Sequence, residues 1–218
     1  AMAAGCTKKK IGAVLMLAPD DHDCLAILKQ RGVDVITVDS AKTTRIKAVH
    51  RSSNLDEREI KTVDYAGVFT QIPDIQTKWT HLAGCNDHEF NIDFIKKLKQ
   101  QGHKLSVDMQ SFVRYNDAQT GEITFDDFAD KAQVVELMDR VKLDILEAKI
   151  LTGNDDIKKA AEILSGWGCP EVMITCADGV LVKYNDEYYF EKFTNKSVVG
   201  RTGRGDTTFG AYLARRID

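Results

Sequence analysis

Apolar residues follow two rhythms along this chain. Ile11 to Ala18 is a continuous apolar run of strand length, and after Pro19-Asp20-Asp21 the apolar positions Leu25, Ile27 and Leu28 recur at roughly helical spacing as far as Gly32. This pattern predicts a strand, a helix and then a second strand over Val33 to Val38. Thr43 to Val49 and Glu59 to Val63 are β-prone with little continuous apolar content, and the polar region Arg51 to Arg58 lies between them. Half-exposed antiparallel strands are expected there.

From Thr80 onward strand and helix alternate. A short strand is expected near His81 to Gly84, a helix through Phe90 to Gln101, and a strand over Lys104 to Val107 that ends at Asp108. A helix near Phe128 to Val141, a short apolar step into Ile145, a helix around Asp155 to Gly166 and a strand over Glu171 to Thr175 continue the series. Such a βαβ rhythm predicts a doubly wound parallel sheet. Val180 to Tyr184 and Tyr188 to Phe193, joined at Asn185-Asp186-Glu187, then form a hairpin on the sheet edge, and a helix starts near Thr207. Ligands of open α/β sheets bind beyond the carboxyl ends of the strands, so Asp108, Asp144 to Glu147, Thr175 and the loop before Asp206 are candidates for one rim.

Composition narrows the classes of function. The 218 residues are 43% hydrophobic and 29% charged, as in an ordinary globular domain, and the net charge of -3 offers no basic excess for nucleic acid or an anionic membrane. Small-molecule partners are expected. Five scattered cysteines without a C-x-x-C pair argue against a disulfide framework or a zinc site, and no apolar run approaches the ~20 residues that span a bilayer. A cytoplasmic location is the expectation. The five histidines show no metal-ligand spacing and read as surface or loop residues; the pairs Asp20-Asp21, Asp126-Asp127 and Asp155-Asp156 read as helix caps.

Thr202-Gly-Arg-Gly-Asp206 places two glycines and an acid at a helix start. Glycines let backbone amides approach an anion and the helix end adds positive potential, so the loop suits a transferring phosphoryl group. A carboxylate beside it can take the proton of an attacking hydroxyl. By itself the segment reads equally as a glycine turn with Asp206 as N-cap, and Arg204-Gly205-Asp206 also spells a tripeptide that some extracellular proteins display to receptors.

The segment Gly200-Arg201-Thr202-Gly203-Arg204-Gly205-Asp206 resembles the D-T-x-G-A-G-D signature of the PfkB carbohydrate kinases, with Gly200 for the leading Asp and Arg204 for the small Ala. The resemblance runs back through nearly the whole chain. It implies a ribokinase-like three-layer α/β/α fold with a small β lid over about residues 35–68, within one partial kinase domain spanning 1–218 and incomplete at both ends. Asp206 resembles the catalytic base, and Gly203, Arg204 and Gly205 the anion hole. Asp144 to Gly153 resembles the N-x-x-E segment associated with Mg²⁺, with Glu147 on the acid and Asp144 for the Asn; the acid would act through metal-bound water. A solvated glutamate on a helix face is the competing reading of Glu147.

Thr175-Cys-Ala-Asp-Gly179 resembles the turn that lies along the nucleotide, with Thr175 and Gly179 as matching features, although it also reads as an ordinary turn into a hairpin. Asp108, Gln110 and Arg114 stand where family sugar kinases carry D-P-N-x-R, in a form that looks more like the inositol-kinase branch; otherwise Asp108 caps a strand and Arg114 forms a surface ion pair. Thr43 and Thr44 lie where a lid threonine often faces substrate, but plain β propensity accounts for them. The resemblance implies transfer of the ATP γ-phosphoryl group, with Mg²⁺, to a hydroxyl of a sugar or cyclitol, and a homodimer through the lid. A nucleoside kinase and a non-catalytic sugar- or nucleotide-binding relative are the alternatives.

Overall fold

The fold is that of a computed structural model whose description covers residues 1–49, 59–71, 73, 75–194 and 203–217. The expected turn at 51–58 and the first three positions of the glycine signature, 200–202, lie outside the described residues. In chain order the elements are α1 (Met2–Gly5), β1 (Gly12–Leu17), a 3-10 turn (Pro19–Leu25), α2 (Ala26–Gln30), β2 (Asp34–Asp39), β3 (Arg45–Val49), β4 (Glu59–Asp64) and β5 (Trp79–Leu82). There follow α3 (Ile92–Gln100), β6 (Lys104–Asp108), α4 (Gln110–Val113), β7 (Arg114–Asn116), β8 (Ile123–Phe125), α5 (Lys131–Glu136), β9 (Arg140–Asp144) and α6 (Ile145–Thr152). The last elements are α7 (Ile157–Gly166), β10 (Glu171–Thr175), β11 (Gly179–Tyr184), β12 (Glu187–Lys192) and α8 (Arg204–Arg216).

Two compact units divide the described residues. The first holds those of 1–67 with 73 and 203–217, which include α8, and the second holds 68–71 and 75–194.

In the first unit β1 and β2 pair in parallel, and β3 and β4 form the expected antiparallel ribbon with a register shift at Arg45/Ile46. The threonines before the ribbon serve its entry: Ala18 N–H donates to Thr43 Oγ1 at 2.9 Å and Ala66 N–H to Thr44 Oγ1 at 3.1 Å. Arg45 grips both oxygens of Asp21 at 2.7 and 2.8 Å. α8 packs against α1 and buries Phe209, Leu213 and Ala214, which recur at helical spacing.

The second unit is built on a six-stranded mixed sheet of order β12-β11-β10-β9-β6-β5. Strands β5, β6, β9 and β10 run parallel and β11 and β12 close one edge as the expected antiparallel hairpin. Leu105, Val107, Val141, Leu143, Val172 and Ile174 have no accessible surface, because strands covered on both faces carry apolar residues at successive positions. α3 and α7 each offer an amphipathic face to this sheet, and each starts with a side-chain cap. Asn91 Oδ1 accepts from Phe94 N–H, and Asp156 Oδ1 accepts from Lys158 and Lys159 N–H.

Two expectations fail here. The helix read over Phe128 to Val141 is only the six residues of α5, and the chain is already in β9 at Arg140. Asp139 ends the helix by clamping to β6: its N–H donates to Leu105 O, and its Oδ2 accepts from Leu105 N–H and Lys99 Nζ, each bond 2.8–2.9 Å long. Tertiary hydrogen bonds thus override the apolar period of Val134, Val135 and Met138. The pair Asp126-Asp127 caps nothing, since α5 starts a turn later with Asp130 at its N-cap, and Asp127 pairs instead with Lys131.

Gly84, just past β5, has no room for a side chain: a Cβ there would lie 2.6 Å from Ser111 Cβ and 2.8 Å from Glu89 Oε2. Gly84→Ala should therefore destabilise the fold by ~1–3 kcal/mol. In Gly166→Ala, where a Cβ meets nothing within 4 Å, a gain of ~0.4–1 kcal/mol is expected. Urea denaturation of both variants checks the pair, and equal effects would contradict the packing described.

Candidate active site

The parallel strands deliver their last residues to one rim of the second unit. Asp108 ends β6 in register with Lys142 of β9, and Asp144 ends β9 in register with Thr175 of β10. Sequence reading placed Asp108, Asp144 and Thr175 on this rim, and the pairing of the strands brings them together.

Asp108 is 2% exposed, and its Oδ2 accepts from Lys142 Nζ at 2.8 Å. A buried carboxylate is tolerable only when its charge is met, and here it is met by an ammonium that is itself buried. The other oxygen accepts from Gln110 N–H at 3.2 Å, and Gln110 Nε2 donates to Gly84 O at 2.8 Å. Gln110 thus links the ends of β5 and β6. Lys142 was not among the residues singled out from the sequence. The available signal was a lone lysine flanked by Val141 and Leu143, legible only once that segment is known to be a central strand.

Asp144 and Glu147 form a capping box at the start of α6: Asp144 Oδ1 accepts from Glu147 N–H at 2.9 Å and Glu147 Oε2 from Asp144 N–H at 2.8 Å. Glu147 is 1% exposed, so the reading of it as a solvated surface glutamate is overturned. α6 is apolar around most of its circumference, which is why no single face could be assigned. Arg114 is also buried rather than on the surface, with its Nη2 3.6 Å from Glu147 Oε1, a separation too long for a hydrogen bond. Oε1 therefore lies buried without a hydrogen-bond partner.

Burial pushes the Glu147 carboxyl up to about 8, and the neighbouring Asp144 and Asp108 push the same way against Lys142 and Arg114. The charges explain this. Two carboxylates already balance the two cations, so an ionised Glu147 would be a surplus buried charge.

Among the described residues no three His, Cys, Asp or Glu side chains stand together as a metal-binding group. The rim therefore does not fit a cation held wholly by protein ligands. It does fit a hydrated one, because Glu147 Oε1 is an acceptor that lacks a donor and a metal-bound water can serve as one.

At the end of β10 the Thr175 hydroxyl donates to Leu143 O at 3.4 Å. Gly179 opens β11, and a Cβ there would lie 2.2 Å from Glu191 O, so strand packing alone requires glycine. In the first unit Gly203 is the N-cap of α8 in the left-handed region, φ 79°, where glycine is at ease. Arg204, Gly205 and Asp206 form the first turn, whose amides have no acceptors within the helix, and Asp206 is exposed.

Comparison with known proteins gives a consistent result. The family described as pfkB family carbohydrate kinase matches residues 8–218. A cytidine kinase of Thermococcus kodakarensis is 42% identical over 71 residues, which is 31% of this chain and only 26% of that protein's length. A solved pyrophosphate-dependent kinase in the ribokinase family, complexed with a pyrophosphate analog and myo-inositol, is 28% identical with a TM-score of 0.88, over 100% of this chain and 76% of its own. A fructokinase from Vibrio cholerae O395 bound to fructose, ADP and potassium ion superposes with a TM-score of 0.75 at 20% identity, over 99% of this chain and 73% of that one, and this likeness speaks to the fold alone. The α/β fold with its mixed sheet is ribokinase-like.

The raised Glu147 value sets a pH dependence in metal-free buffer. The folded state keeps a proton that the unfolded state releases above the ordinary glutamate range, so stability falls as pH rises toward about 8 and levels off beyond it. Glu147→Gln keeps a side-chain acceptor for the Asp144 amide and removes the charge. It should flatten this slope and exceed the wild type by ~1–3 kcal/mol near pH 9. Denaturation curves between about pH 5 and pH 9 test this, and a wild-type slope that survives in the variant would rule out Glu147 as its source.

Proposed function

Because this chain belongs to the pfkB family of carbohydrate kinases, we propose that it transfers a terminal phosphoryl group from ATP to a hydroxyl of a sugar or cyclitol, with Asp206 as general base. The observation that carries this reading is the start of α8, where a left-handed Gly203 opens the helix and a carboxylate stands in its first turn. In the proposed step the Asp206 carboxylate takes the proton of the acceptor hydroxyl while the acceptor oxygen bonds to the terminal phosphorus, and the bond from phosphorus to the leaving ADP oxygen breaks. The amides of Gly203, Arg204 and Gly205 balance charge on the transferring group. Thr175 and Gly179 are assigned to the nucleotide, and Asp108, Gln110 and Arg114 to the acceptor. Mg²⁺ on the donor phosphates would supply further charge neutralisation, with Glu147 holding it through water.

A second reading of the donor rests on one observation: the structural neighbour at 28% identity is pyrophosphate-dependent. Pyrophosphate has no base or ribose to grip, so its binding depends on cationic and amide donors. Arg204, in place of the family's small alanine, puts a guanidinium in the loop that would hold it. The matched segment of cytidine kinase likewise supports a nucleoside as an alternative acceptor.

The test is phosphoryl transfer followed by ³¹P NMR with Mg²⁺, ATP or pyrophosphate as donor, and myo-inositol, fructose or cytidine as acceptor. One donor–acceptor pair should turn over, and Asp206→Asn should lower kcat by about 10²- to 10⁴-fold with little change in acceptor affinity. Turnover undiminished in the variant would remove Asp206 as the base. Ligand binding without turnover for every pair would favour a non-catalytic binding protein.

A further inference from the structure

A concavity in the second unit is lined by none of the rim residues. It is a half-open hollow of about 240 Å³, lined by the buried Phe90, Phe112 and Val134 and by Phe128 and His88. An apolar cavity of about 150 Å³ is enough to take up benzene, so this one has room for a fused two-ring system. Its walls are aromatic on several sides: His88 stands 5.3–5.4 Å from the rings of Phe112, Tyr115 and Phe128, and Phe112 stacks on Phe128 at 5.4 Å. Slots bounded by ring faces and edges favour flat guests over bulky ones.

The loop that carries His88 is held in an uncommon backbone form. Asp87 and His88 both have φ near 50°, a region that costs energy for residues with side chains. Three hydrogen bonds hold them there: Asp87 N–H to Arg114 O at 2.8 Å, His88 N–H to Ser111 O at 2.9 Å, and Asn116 N–H to Asp87 Oδ1 at 2.7 Å. The result is that a polar ring joins an apolar wall. The ring nitrogens make no hydrogen bond among the described residues, whereas His81 and His103 each have a partner. Burial lowers the His88 pKa, so near neutral pH the ring offers one donor and one acceptor.

Charge selects among flat guests. None of the lining residues is Lys or Arg, and the exposed carboxylate of Asp130 stands at the mouth. Lys131 is held by Asp127 and Leu151 O. Anionic rings are disfavoured on both counts.

We propose that this pocket is a binding site for an uncharged or cationic planar heteroaromatic ring system of one or two rings, packed against Phe90, Phe112 and Phe128 and hydrogen-bonded by His88. The pocket adjoins the candidate active site through α4 and through the His88 loop, where Asp87 N–H is bonded to Arg114 O. α4 carries Gln110 toward the rim and Phe112 toward the pocket.

Ligand-observed NMR on the full chain tests the assignment with benzimidazole and indole as probes and benzoate as the anionic control. Saturable binding of benzimidazole is expected with a Kd of about 0.1–1 mM, and binding of benzoate at least about tenfold weaker. Ala129→Trp, at an exposed position of the mouth, should abolish binding without disturbing the core. His88→Phe keeps the aromatic wall and should weaken benzimidazole by about tenfold. No saturable binding to the wild type, or binding unchanged in Ala129→Trp with its melting temperature preserved, would overturn the proposal. Phosphoryl-transfer activity is not the readout, so failure here leaves the kinase reading standing.

Discussion

Buried charge at the carboxyl ends of the parallel strands is the constraint around which the second unit is organised. Asp108 and Lys142 face each other from adjacent strands, both buried, and each offsets the other's charge. Their 2.8 Å contact depends on β6 and β9 keeping register, so the pair also penalises any slip between these strands. Asp139 reinforces the same register from the other end of β9.

Around that pair the rim is assembled from short-range bonds that leave specific groups unspent. The capping box uses one oxygen of Glu147 and leaves the other buried without a donor. Arg114 comes close enough to bias the site electrostatically but not to satisfy it. A protein selected only for stability would have little reason to bury such a carboxylate, since burial disfavours its charged form. An unmet acceptor beside balanced charges is therefore a feature that a ligand or hydrated cation would complete.

Much of the architecture was legible beforehand because local pattern and tertiary environment agreed. The apolar runs of β1, β6 and β10, the capped amphipathic helices α3 and α7, and the hairpin of β11 and β12 all fell close to their expected places. The reading failed where long-range bonds took over. Helix α5 stops early because Asp139 binds β6, and that hid β9 and Lys142 together. The short α4 and the β7–β8 hairpin went unseen because three- and four-residue elements leave too little periodicity to detect. His88, expected as an ordinary loop residue, is packed against the rings of Phe112, Tyr115 and Phe128, which lie well beyond its own loop in sequence.

By itself the sequence determined the chemistry on offer: a glycine-flanked acid opening a helix, carboxylates at strand ends, and a family pattern carried by residue types at fixed spacing. These are local properties, set by neighbours along the chain. Only the tertiary structure decided which of those groups are buried and what meets their charge. It made Glu147 a desolvated acid rather than a surface one, gave Asp108 a lysine partner, and set His88 against three aromatic rings. The physical reason is that desolvation and pairing depend on distances between strands and helices, and these are fixed by packing across the sheet.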